Sequence, residues 1–163
     1  MRHSEAVSLI KHGITGKGPQ YWADLGCGSG TFTLALRSLL PIGSRLTAVD
    51  KDSQNLPVNF IKADFEKEVL PLSGLDGILM ANSLHFVRDK ETLFTKLESH
   101  FSSNQKFLIV EYDTARANRW VPYPIPFDEL GLLFTKLGYS SVTKLAEHPS
   151  RFGGSLYGAL IMR

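Results

Sequence analysis

Apolar residues fall into short blocks along this chain, some continuous and some spaced by three and four. Tyr21–Leu25, Arg45–Asp50, Val58–Ala63, Leu75–Ala81 and Lys106–Glu111 are compact apolar runs and predict buried strands. Between them lie segments with one apolar stripe. Thr31–Leu40 carries Phe32, Ala35, Leu36 and Leu39 on one face and meets Pro41 and Gly43 beyond its end. Asp89–Phe101 predicts a further helix. Asp128–Leu137 predicts another, with Phe127, Leu130, Phe134 and Leu137 on one side and Gly138 as its stop. A first short helix is predicted with Ser4 as its cap, with Ala6, Leu9 and Ile10 sharing a face and Gly13 near its end. Two more strands, Ser141–Ala146 and Tyr157–Met162, flank a turn at Gly153 and Gly154 and should pair antiparallel.

Seven strands alternating with helices predict an α/β, doubly wound, mostly parallel sheet covered on both faces, with an antiparallel C-terminal strand. One segment strains the pattern. Only Lys51–Pro57 separates the second and third strands, seven residues where a parallel crossover takes ~10–12 or more. Either the strand ends lie elsewhere or this crossover has lost most of its helix.

Length and composition narrow the class. The 163 residues fit one domain, 1–163, with one core. No apolar run approaches the ~18 residues that span a membrane, and the start lacks the apolar stretch of a secretory signal. Cys27 is the only cysteine, which excludes an intrachain disulfide and a cysteine-based metal cluster. A cytoplasmic setting, no membrane partner and no metal are the expectations. The net charge of +2 comes from scattered residues rather than a basic cluster, so nucleic acid is not favoured as a partner.

Candidate chemistry begins at ADLGCGSG. Gly26, Gly28 and Gly30 follow a strand and precede a helix, where main-chain N–H groups and a positive helix end converge. The dinucleotide fingerprint G-x-G-x-x-G fails here, since its third glycine would fall on Thr31 or Thr33. The pattern present is D-x-G-x-G-x-G, Asp24 to Gly30. Asp50 ends the second strand twenty residues past Gly30. A carboxylate there is acceptor-only and suits the two hydroxyls of a ribose. Asp64 ends the third strand, where it could accept from the amine of a nucleobase, and Phe65 beside it offers an apolar contact.

In that order, ADLGCGSG, AVDKD, IKADFE and ILMANSLHFV resemble the sequential motifs of class I S-adenosylmethionine-dependent methyltransferases. The resemblance runs from about Tyr21 to Glu111, and the closing hairpin resembles that family's last two strands. It implies that Asp24, Gly26, Cys27, Gly28 and Gly30 cradle the methionine part of S-adenosylmethionine. It further implies that Asp50 holds the ribose, that Lys51, Asp64 and Phe65 adjoin the adenine, and that Asn82, Ser83 and Leu84 lie beneath the reactive methyl. The short segment after Lys51 departs from the family's pattern. Enzymes that methylate amino groups of DNA bases carry an Asn/Asp-Pro-Pro-aromatic motif after the fourth strand. The chain has Asn82, Ser83, Leu84 and His85 there, which argues against that reaction.

Two further features concern the methyl acceptor. His85 could act as a general base, its pKa range lying near neutrality, or could pack at the sheet edge. Tyr112–Phe127, YDTARANRWVPYPIPF, leaves the fifth strand with Pro122, Pro124 and Pro126 at alternate positions, which favours a stiff extended strap. Its Arg116, Arg119, Trp120 and Tyr123 are candidates for holding the acceptor, or else Trp120 and Tyr123 anchor the strap to the core. Cys27 reads as a small packed residue rather than a reactive thiol. The expected function is methyl transfer from S-adenosylmethionine to an acceptor, a small molecule in preference to RNA or protein. The alternatives are a non-catalytic binding module and, against the glycine spacing, a nicotinamide oxidoreductase.

Overall fold

The computed structural model describes all residues, Met1–Arg163. Its centre is one seven-stranded sheet. In chain order the strands are β1 (Tyr21–Leu25), β2 (Arg45–Asp50), β3 (Asn59–Lys62), β4 (Gly77–Ala81), β5 (Lys106–Tyr112), β6 (Ser141–Pro149) and β7 (Ser155–Met162). Across the sheet they stand in the order β3-β2-β1-β4-β5-β7-β6. All pairs are parallel except β5 with β7 and β7 with β6. The helices are α1 (His3–Ile10), α2 (Thr31–Leu39), α3 (Lys90–Leu97) and α4 (Phe127–Lys136).

Both sheet faces are apolar, because both are covered. Along β4 and β5, Ile78, Met80, Phe107 and Ile109 join the core beneath α3 and α4, where Phe94, Phe107 and Phe134 stack with centroids 4.5–5.5 Å apart. Leu79, Leu108 and Val110 point the other way, to a core shared with Leu9, Trp22, Phe32 and Leu36 under α1 and α2. This alternation is the period-two geometry of strands, and it explains runs without polar gaps.

Several expected boundaries move. Helix α1 begins at His3 with Arg2 at its cap position, because the Glu5 carboxylate accepts from the Arg2 backbone N–H at 2.7 Å and Ser4 is not needed. Strand β6 continues through Glu147, His148 and Pro149, whose polar composition hid it, and Pro149 pairs with Ser155 across the turn. The crossover between β2 and β3 does lack a helix. In its place Leu56 folds back onto the glycine loop: a Cβ on Gly30 would lie 2.4 Å from a Leu56 methyl.

Helix α1 is pressed onto the sheet at one point. A Cβ on Gly158 of β7 would lie 2.0 Å from the Leu9 carbonyl oxygen. The obstacle is backbone, so it cannot rotate away. Gly158→Ala is therefore expected to lift α1 and cost about 1–3 kcal/mol or more of stability, measured as a lowered urea midpoint. An unchanged midpoint would show that α1 is free to shift.

Candidate active site

The loop after β1 is held from three sides. Gly26 and Cys27 donate their N–H groups to the Val49 carbonyl at 2.8 and 3.1 Å. Gly28 donates to Oδ2 of Asp50 at 2.8 Å. Gly26 takes φ 78°, and a Cβ there would lie 2.5 Å from that of Ser83 and 3.2 Å from the Phe65 ring. By contrast, nothing lies within 4 Å of where a Gly28 side chain would project. The loop is thus closed beneath Gly26 and Gly30 and open above Gly28. Helix α2 starts at once, with Gly30 at its cap position and no side-chain cap, so its positive end faces the opening.

Asp24 lies under this loop, fully buried, and accepts from Thr33 Oγ1 at 2.6 Å. Thr33 was not singled out from sequence, although an i, i+9 pair across a strand–loop–helix turn leaves a polar residue on an apolar helix face as its trace. Burial, with Asp24 and Asp50 adding negative charge, pushes the Cys27 thiol up to about 12. It stays protonated and inert, as expected for a packed residue.

Asp50 stands at the end of β2 with Oδ1 accepting from the Asp52 N–H at 2.9 Å. Each oxygen thus has one backbone donor and one lone pair to spare. Asp64 caps the turn after β3. Its Oδ1 accepts from Glu66 and Lys67, while Glu68 reaches back to the Asp64 N–H at 2.6 Å. Lys96 of α3 donates to the Phe65 and Glu66 carbonyls at 2.7 and 2.8 Å and fixes the turn from below. Oδ2 of Asp64 has no partner within the chain. Phe65 is half-buried, and Lys51 is exposed beside Asp50.

On the other side of the opening, β4 is followed at once by Asn82, the one non-glycine residue with positive φ, 54°. Its Oδ1 is buried without a hydrogen bond, the only such side-chain atom in the chain. Ser83 Oγ donates to the Leu25 carbonyl at 2.7 Å and ties β4 to β1. Leu84 is buried beneath. His85 is also buried, and Glu111 at the end of β5 grips it twice. Oε1 accepts from the His85 backbone N–H at 3.1 Å and Oε2 meets Nδ1 at 2.8 Å. From sequence, Glu111 is only the last residue of the fifth apolar run. An acid closing the apolar run KFLIVE was the visible signal.

The strap does not anchor as the alternative reading expected. Val121 and Ile125 are its buried residues, and the Tyr157 hydroxyl donates to the Ile125 carbonyl at 2.7 Å. Tyr123 donates its backbone N–H to the His85 carbonyl at 3.0 Å. Trp120 is 75% exposed, and Arg116, Arg119 and Tyr123 are also exposed. A cavity of about 280 Å³ opens elsewhere, between α1 and the β6–β7 turn, and reaches Asn82 and Tyr112. None of the four strap candidates lines it.

Burial pushes the Asp24 carboxyl up to about 7 from an ordinary 3.8. The Thr33 hydrogen bond pulls against this rise and Asp50 adds to it. The folded chain then keeps a proton that the unfolded chain releases. The Asp24 contribution to stability is full below about pH 4, falls as pH rises toward about 7, and is level above. Three pH units correspond to ~4 kcal/mol at most. Asp24→Asn should flatten this slope, read as urea midpoints at pH 5 and pH 7.5. Parallel slopes in both proteins would show that Asp24 is ionised throughout.

Residues 23–109 match a family model described as a methyltransferase domain. Uncharacterized methyltransferases of Mycobacterium tuberculosis and Mycobacterium bovis are 27% identical over 107 residues, 60% of this chain and 53% of theirs. The chain spans about half the length of the curated relatives it matches. Among solved structures, Burkholderia thailandensis 1,6-didemethyltoxoflavin-N1-methyltransferase, with bound 1,6-didemethyltoxoflavin and S-adenosylhomocysteine, superposes with TM-score 0.75. It is 19% identical, covering 99% of this chain and 77% of that one. A methyltransferase from Aquifex aeolicus superposes with TM-score 0.68 at 16% identity, covering 98% and 92%. The matched segment runs from the strand beneath the glycine loop through β5, more than half of the sequence, and the chain belongs to the methyltransferase-domain family.

Proposed function

We propose that residues 1–163 act as one domain that binds S-adenosylmethionine and transfers its methyl group to a small-molecule acceptor. One observation carries this reading: the open face of Gly28, the spare lone pairs of Asp50 and the unpaired Oδ2 of Asp64 stand along one strand edge. Such an edge, outside the carboxyl ends of parallel strands at a switch in strand order, is where α/β sheets take ligands. The Burkholderia enzyme is described with S-adenosylhomocysteine and 1,6-didemethyltoxoflavin bound, and a plantazolicin methyltransferase with S-adenosylhomocysteine. The lone thiol, Cys27, suits a cytoplasmic setting.

Asp50 would take the ribose hydroxyls, Asp64 and Phe65 the adenine with Lys51 alongside, and the open loop the methionine part. The bound cofactor would supply a methyl group already activated on a positive sulfur. The chain's own task would then be alignment and exclusion of water, which together can be worth ~7–11 kcal/mol. Where the acceptor has a proton to shed, His85 is the candidate base. With Glu111 accepting at Nδ1, the tautomer that leaves a lone pair on Nε2 would be the one able to act as a base. Arg116, Arg119, Trp120 and Tyr123 would lie at the outer margin of a seated acceptor rather than line its pocket. Their support is that they serve no interior role, while the strap bearing them is tied to His85.

The burial of the His85 side chain, 5% exposed, favours a second reading in which the pair is a structural tie and the domain binds without turnover. His85→Ala separates the two. A base predicts turnover down ~10²–10⁴-fold with cofactor affinity and stability nearly kept. A tie predicts lost stability and no separate catalytic defect. Activity is followed as labelled methyl transferred into size-sorted cell extract.

Calorimetry tests the cofactor. S-adenosylmethionine and S-adenosylhomocysteine should bind, with NAD much weaker. Asp50→Ala should lose roughly tenfold or more in affinity, since hydrogen bonds to a charged group are worth ~1.5–3 kcal/mol. It should also loosen the loop, because the Gly28 N–H loses its partner. Unchanged binding by a folded variant would falsify the role given to Asp50.

A further inference from the structure

The cavity between α1 and the β6–β7 turn lies beside the proposed cofactor crevice, not within it. Its inner end is Asn82, whose neighbour Ser83 packs against Gly26 of the glycine loop. A molecule seated there would meet whatever the glycine loop holds. Its volume, about 280 Å³, sits at the small end of ligand pockets and suits one or two fused rings.

The lining specifies chemistry as well as size. Asn82 Oδ1 is a buried acceptor with no donor, on a backbone held at positive φ. Such an atom is costly, and it is closed to solvent as it stands, so a ligand's N–H or O–H reaches it only when the Asn82 side chain turns toward the cavity. Tyr112 and Phe152 provide aromatic faces, and Phe152 is 89% exposed although it is a large ring. At the rim stands Arg151, with no carboxylate of the chain within 4.0 Å. The one acid in the lining, Glu5, is already engaged. It accepts from Arg2 through the backbone N–H at 2.7 Å and the side chain at 3.0 Å, with His148 Nε2 at 3.7 Å. The charge left unmatched is therefore positive.

We propose that this cavity is the acceptor site and that it takes a planar aromatic or heteroaromatic acid bearing a ring N–H or hydroxyl. The Asn82 side chain turns to bring Oδ1 to the donor, the rings lie between Tyr112 and Phe152, and the acid group pairs with Arg151. Methyl transfer forms a bond from the acceptor heteroatom to carbon as the carbon–sulfur bond breaks. The electron pair stays on sulfur, and the heteroatom's proton leaves to solvent or to a base of the chain. This assignment rests on the proposed function, since it needs a methyl donor in the adjoining crevice.

The test uses full-length protein saturated with S-adenosylhomocysteine and titrated with indole-2-carboxylate, which has ring, N–H and acid. Benzofuran-2-carboxylate lacks the N–H, and indole-2-carboxamide lacks the charge. The acid should bind with amide NMR shifts at Tyr112 and Phe152, and both analogues should be about tenfold weaker or more. Arg151→Gln should abolish the preference for acid over amide. Asn82→Gly, which keeps the positive φ, should abolish the preference for indole over benzofuran. Equal affinities for all three probes, no binding, or shifts centred on Trp120 would overturn the assignment. If S-adenosylhomocysteine binds and the acid does not, this inference fails alone. If the acid binds the cavity but S-adenosylhomocysteine does not bind, its role as acceptor site fails together with the proposed function.

Discussion

The contact between Gly26 and Ser83 is what the rest of the site depends on. Strand β1 is central, with β2 on one side and β4 on the other. The chain leaves β1 through α2, which packs with α1 on one face of the sheet. It leaves β4 through α3, which packs with α4 on the other. Two loops that diverge in this way open a crevice at the strand ends. Ser83 stops the crevice from splitting the sheet, since its hydroxyl holds the Leu25 carbonyl and its Cβ fills the space that Gly26 vacates. A side chain at position 26 would drive the loops apart. The glycine there is set by packing from the far loop as much as by its own φ of 78°.

The same edge gathers carboxylates that do different work. Asp24 is sealed beneath the loop and braces it through Thr33. Asp50 is only half-buried and holds the loop from the side through Gly28. Asp64 shapes a turn through its own backbone neighbours. Glu111 is fully buried and is spent on His85. Asp50 and Asp64 keep unused lone pairs where solvent reaches them. Burial thus sorts acids that build the crevice from acids available to a ligand, a distinction that the residue type alone does not carry.

Much of the fold was legible because its signals are local. Strands β1, β2 and β5 announce themselves as apolar runs, Gly138 stops α4, and the Gly153–Gly154 turn separates two strands that do pair antiparallel. The missing crossover helix was visible as a length too short to hold one, but its substitute was not. Leu56 on Gly30 is a contact between distant positions, and no periodicity marks it. Strand β6 ran three residues past its apolar pattern because Glu147, His148 and Pro149 lie where polar side chains cost nothing. The site shows the same division. The glycines and strand-end acids could be placed by their position in the pattern. The Glu111–His85 grip, the Asp24–Thr33 pair and the cavity below α1 could not, since each joins elements whose proximity only the folded sheet creates.

That difference bears on where selectivity resides in a fold of this kind. The residues readable from sequence sit on β1, β2 and β3, in the half of the sheet that forms the crevice for a common ligand. The residues hidden from sequence sit on β5 and the β6–β7 turn, where Tyr112, His148 and Arg151 are brought together with Asn82 across long separations. The first half must present backbone N–H groups and carboxylates in one arrangement, so its spacing is constrained and its motif is short. The second half needs only a floor held in place. Here Ser83, Glu111 and the backbone tie from Tyr123 to His85 hold that floor from three directions. Side chains mounted on a floor so fixed can change in size and charge without disturbing the loop above Asp24. A chain built in this way can therefore keep one crevice while the residues beside it vary without a motif.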